Sequence, residues 1–244
     1  MLRKLLDLAG VDFAPISHGE RWISISGAFF GILLVYLCSN YFLHGQNVPL
    51  VVASMGASAV LLFAVPHGPL SQPWALVGGQ LISALIGVTC SELIPQVWLA
   101  VPVAVALAVG AMHYLRCIHP PGGATALVAA MGGPELHALG YGFLLEPVLL
   151  NVLVILIVAV AFSWMFPWRR YPAFLSEDKM ETPSEIITGY PAISHEDFVY
   201  ALSQIDSFID VNEHDLMRIY QLATKHHTLD QELASTSPEK HGCS

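Results

Sequence analysis

Between Trp22 and Trp168 this chain of 244 residues carries one basic residue, Arg116, and three acids, Glu92, Glu135 and Glu146. Soluble domains carry about one charged residue in four. So long a stretch with so few charges belongs in a bilayer, where backbone polar groups must be paired inside the protein. A spanning helix needs about 20 mostly apolar residues. Segments 23–42, 48–65, 75–93, 97–115, 121–137 and 141–166 meet that pattern, the second somewhat short and the fifth weak and interrupted. Trp22, Trp74, Trp98, Trp164 and Trp168 fall near segment ends, as an aromatic belt requires. The expected fold is all-α: a polytopic membrane helix bundle of about six helical elements.

Basic residues orient the bundle. Arg3, Lys4 and Arg21 precede the first helix, and Arg169, Arg170 and Lys179 follow the last. The positive-inside rule then places both ends in the cytoplasm and makes the number of crossings even. Six full crossings put Arg116 on the cytoplasmic side. Four crossings with two re-entrant half-helices put it on the other. Without a compact apolar run after Arg3 and Lys4, no cleavable signal peptide is expected, and the first hydrophobic helix acts as its own insertion signal.

The sharpest local motif is His119-Pro120-Pro121-Gly122-Gly123-Ala124-Thr125-Ala126-Leu127. Two prolines forbid a continuous helix and allow a new one to start. A helix start at membrane depth presents backbone N–H groups and a positive dipole end, an arrangement suited to a small anion. Gly122, Gly123 and Ala124 are small enough for close approach, and the Thr125 hydroxyl adds a donor. Gly56-Ala57-Ser58-Ala59-Val60 repeats the Gly-Ala-hydroxyl-Ala-aliphatic pattern. Two halves of three elements each would have opposite topology, and paired interrupted helices in inverted halves point to a transport site near the midplane. The same small residues also serve close helix packing. His113, Arg116 and His119, spaced by three, could form a cationic stripe at a pore mouth, with His119 as a titrating group. Arg116 alone reads equally as an interfacial anchor. Gln80 and Asn151 read first as bonds between helices.

With these residues assembled, the chain resembles the HPP family of integral membrane proteins. The resemblance rests on Met55-Gly56-Ala57-Ser58-Ala59-Val60-Leu61-Leu62-Phe63, Pro69-Leu70-Ser71-Gln72-Pro73, Val77-Gly78-Gly79-Gln80-Leu81-Ile82-Ser83-Ala84, the His-Pro-Pro segment and Asn151. It covers roughly residues 15–172. Some members of that family look like nitrite transporters, so the resemblance implies an anion, with nitrite first. Many members also carry cytoplasmic CBS domains, and none is read here.

The expected organisation is a cytoplasmic segment 1–21, a transmembrane domain 22–168, a linker 169–193, a cytoplasmic helical hairpin 194–227 and a disordered tail 228–244. Most acids of the net charge of −9 lie after Arg170, which argues against nucleic-acid binding. Cysteine and histidine spacing gives no metal pattern, and neither a cofactor nor enzymatic chemistry is expected. The expected function is transport of a small inorganic anion by a protein of the inner membrane, with the bilayer and a second copy of the chain as partners. The alternative is a membrane-anchored sensor or scaffold that signals through the acidic hairpin. Deleting the chain from Ser194 onward separates the two: a transporter keeps its flux in liposomes, whereas a sensor loses its output.

Overall fold

The computed structural model describes residues 17–42 and 48–176. The expected hairpin at 194–227, the tail and residues 1–16 lie outside the described residues. Among those described, all regular structure is helical. The helices are α1 (His18–Phe42), α2 (Val48–Ala64), α3 (Pro73–Leu93), α4 (Val97–Tyr114), α5 (Pro120–Met131), α6 (Pro134–Leu139) and α7 (Leu150–Trp164). A 3₁₀ turn at Gly140–Leu144 and a π turn at Leu145–Leu149 lead into α7. Counted through to Trp164, Gly140–Trp164 is one of four helices among the described residues that are long and apolar enough to cross a membrane. The others are α1, α3 and α4. At 12 residues, α5 is only about 18 Å long and too short to cross alone.

Proline sets the helix starts. Pro73, Pro120 and Pro134 each occupy the first helical position, where a missing N–H is harmless. The stop after α4 is of another kind. Arg116 adopts a left-handed φ of 54°. The Cys117 N–H reaches Met112 O at 3.0 Å and the Arg116 N–H reaches His113 O at 3.2 Å. This is a Schellman turn with arginine in the place glycine usually takes. It ends the helix before His119, so His113, Arg116 and His119 do not form one stripe. Arg116 is exposed, whereas His119 is fully buried.

Helix ends sort onto two faces. The starts of α1 and α3 and the ends of α2, α4 and α7 lie on one. Arg169, after α7, binds Glu20 of α1 at 2.6 Å and also the Phe63 carbonyl near the end of α2. Trp74 at the start of α3 donates to Leu115 O at 3.1 Å. The chain therefore runs up and down six times, and α5 starts from the face that holds Arg116, Arg169 and Arg170. The arrangement that would place Arg116 opposite is not found. In packing, α1 lies on α2 and α7, α4 lies on α5 and α3, α5 packs most extensively on α3, and α2 meets α5 at the centre.

Two close approaches lock the bundle. On α1, Gly27 and Gly31 form the notch that receives the Phe63 ring; a Cβ at Gly27 would come within 2.5 Å of it. On α3, Gly79 lies against α5. A Cβ at Gly122 would come within 2.7 Å of Gly79 O, and one at Gly79 within 2.5 Å of the His119 Cβ. Residues 169–173, expected to begin a linker, are instead docked on the bundle. The Tyr171 hydroxyl donates to Ser71 O at 2.7 Å, and the Ala173 N–H donates to Gln72 Oε1 at 3.0 Å. Burial pushes the Tyr171 hydroxyl well above its ordinary pKa, so it stays a donor. Burial works against the Arg169 charge while Glu20 supports it.

Gly122→Ala should lower stability by about 1–3 kcal/mol, because backbone of α3 blocks the new methyl. Gly123→Ala meets nothing within 4 Å and should be neutral or stabilising. Denaturant unfolding of both variants in detergent checks this, and equal effects would contradict the packing described.

Candidate polar site at the α2–α5 seam

Small residues bring α2, α3 and α5 close enough for short polar side chains to meet at the centre. Ser54 and Ser58 are one turn apart on α2, so both face α5. Gln80 comes from α3, Thr125 from α5, and His119 caps the start of α5. All five are buried.

The bonding directions can be assigned from chemistry. His119 Nδ1 lies 3.0 Å from Leu70 O. A carbonyl only accepts, so Nδ1 carries the proton and donates. In the neutral ring Nε2 is then an acceptor, and the Ser58 hydroxyl, at 2.9 Å, donates to it. Gln80 Nε2 donates to Ser58 Oγ at 3.2 Å and to Ser54 Oγ at 2.9 Å. Gln80 Oε1 accepts from Thr125 Oγ1. Ser54 and Thr125 lie 2.7 Å apart. Gln80 is thus the hub: one end faces two hydroxyls and the chain runs on through Ser58 and His119 to Leu70. Since Thr125 already satisfies Gln80 Oε1, the Ser54 O–H can turn away without orphaning that oxygen.

Beside this cluster lies a small cavity of about 10 Å³, close to what one water molecule needs. Ser54, Gln80 and Thr125 supply its polar wall. Met55, Val128, Phe143 and Val148 supply the apolar one. Among the described residues no group of three or more His, Cys, Asp or Glu could hold a metal ion.

The sequence-derived candidates divide sharply. His119 and Thr125 sit in the cluster, and Ser58 joins them. Pro121 and Gly122 are buried where α5 meets α3. Pro120 and Ala124 are exposed, and Gly123 is half-buried beside open space. Gly56 and Ala57 lie mid-helix on the outer side of α2. The second expected half-helix start is therefore absent: α2 begins at Val48, two turns before Gly56. The first start also offers fewer donors than its dipole suggests. Pro120 and Pro121 have no N–H, and the Gly122 N–H is used on His119 O at 2.8 Å. Ser54 and Gln80 carry the cavity instead. Ser54 was legible in principle, being four residues before Ser58.

A family model described as HPP, transmembrane region, matches residues 14–172. The chain belongs to the HPP family. It is 36% identical over 160 residues to a transmembrane protein of Dictyostelium discoideum, covering 64% of this chain and 50% of that one. A second Dictyostelium discoideum transmembrane protein is 32% identical over 160 residues, covering 64% of this chain and 55% of that one. This HPP protein spans about half the length of the curated relatives it matches. No solved structure matches it.

Ser58→Ala should cost about 1–3 kcal/mol, because it leaves His119 Nε2 and one Gln80 N–H buried and unpaired. Ser58→Thr, which keeps the hydroxyl, should restore most of the loss. Thermal unfolding in detergent reads both, and a neutral Ser58→Ala would contradict the bonding chain.

Proposed function

We propose that this HPP protein is a membrane transporter for a small inorganic anion, with nitrite as the first candidate. The observation that carries the reading is the cavity at the α2–α5 seam. It is about one water in size, and Ser54, Gln80 and Thr125 form its polar wall. One hydroxyl proton, on Ser54 or Thr125, is free to turn inward while the other satisfies Gln80 Oε1. Nitrite offers only acceptors, so it matches that hydroxyl donor. No fixed charge lines the cavity, so an anion is held weakly enough to leave.

His119 supplies the means of carrying a proton alongside. A proton on Nε2 would turn that nitrogen into a donor to Ser58. The Ser58 hydroxyl would then turn to Ser54 O, 3.3 Å away. This rearrangement passes from His119 to the residue that Gln80 holds, and so couples protonation to the cavity. By the positive-inside rule, the face with Arg21, Arg116, Arg169 and Arg170 is cytoplasmic, as expected for a cell-membrane protein with both ends inside.

Flux into liposomes tests this, with nitrite, nitrate, formate, chloride and bicarbonate compared. Saturable nitrite uptake is expected, rising as the outside pH falls. Thr125→Val should raise the half-saturation concentration about threefold to tenfold, as for loss of one hydrogen bond. His119→Gln should flatten the pH dependence. Absence of flux for every anion, in folded and inserted protein, would favour the sensor or scaffold. Flux of neutral solutes without anion competition would mark a channel for water, ammonia or a weak acid.

A further inference from the structure

One buried polar group stands outside the cluster and is only half satisfied. Asn151, in the first turn of α7, is fully buried. Its Oδ1 accepts from the Ser39 hydroxyl of α1 at 2.5 Å. So short a distance suits O–H···O rather than N–H···O, which sets the amide with its oxygen toward Ser39. The Asn151 Nδ2 then has no partner among the described residues. A buried amide N–H without an acceptor is rare in folded proteins, and it is worse placed in a membrane, where no bulk water can reach it.

Position explains what such a donor could serve. Val148 lines the cavity. Asn151 follows it by three residues in a segment whose intervening residues, Leu149 and Leu150, have helical backbone angles. Residues at that spacing share one side of a helix. The orphan amide therefore lies on the helix side that walls the cavity, one turn along. It also adjoins the one break in this helix. Glu146 leaves the helical region at φ −125° and ψ 103°, a kink between two helical stretches. Two helices each carry a buried amide, Gln80 in α3 and Asn151 in α7. Gln80 is saturated; Asn151 is not.

We infer that the Asn151 amide is a second station for the transported solute. It donates a hydrogen bond from Nδ2 to an oxygen of a small oxyanion that has moved from the cavity toward the α1–α7 seam. Ser39 fixes the amide by holding its oxygen, and so acts as a positioning residue. This rests on the transport reading above.

The test uses the full chain in detergent and in liposomes, with nitrite and formate as probes and chloride as a probe lacking oxygen. Asn151→Leu removes the orphan donor and fills the space with carbon. Its thermal midpoint without solute should match or exceed that of the unaltered protein. Its half-saturation for nitrite and formate should rise about threefold to tenfold, with chloride unaffected. Ser39→Ala should lower the midpoint, and Asn151→Asp, which puts acceptors where Nδ2 was, should abolish uptake. Unchanged half-saturation in Asn151→Leu overturns the inference. So does a lowered thermal midpoint in that variant, because Asn151 would then be a structural tie to Ser39. If the unaltered protein moves no anion, the transport reading fails, and the second station fails with it. If it moves nitrite while Asn151→Leu behaves identically, only the second station fails.

Discussion

The rest of this bundle hangs on a contact between two backbones. Gly122 of α5 sits so near Gly79 of α3 that no methyl fits between them. Such an approach has no hydrophobic drive behind it in lipid. It is held by dispersion and by the hydrogen bonds it makes reachable. With α5 drawn in this far, the short arms of Ser54, Ser58 and Thr125 can span the gap that would otherwise need long side chains. Gln80, one residue past Gly79, then arrives at their centre. The glycines set the distance, and the polar cluster follows from it.

That arrangement also shows how much a sequence can disclose. Five of the six apolar segments end within two or three residues of the observed helix ends, because prolines and polar turns punctuate them. The first helix starts five residues before its apolar run, at His18, where the Ser17 hydroxyl caps it by accepting from the Glu20 N–H at 3.1 Å, and the Glu20 carboxylate pairs with the distant Arg169. Nothing local to residues 18–22 signals that pairing. The fifth segment breaks at Gly132 and Gly133, both at positive φ. A pair of glycines is visible in the sequence, but their backbone angles are not.

The candidate site was half legible for a related reason. The two similar Gly-Ala-hydroxyl-Ala runs carry Ser58 and Thr125, and both side chains reach Gln80. Similarity says nothing about where a helix begins. Proline decides that, and it does so just before Gly122 but far before Gly56. The exposed Pro120, Ala124 and Arg116 satisfy motif and charge arguments without reaching the cluster. Gln80 looked like an ordinary interhelical bond, and only its simultaneous reach to α2 and α5 reveals it as the hub.

The proline pair at the start of α5 also changes what that helix end demands of its surroundings. A helix start ordinarily leaves several N–H groups in need of acceptors. Here two of those groups are missing by covalent chemistry and the third is occupied by His119 O. Such a start needs neither water nor a capping side chain, which suits an interior that bulk solvent does not reach. The pyrrolidine rings let α5 begin against α3 with few donors left to satisfy.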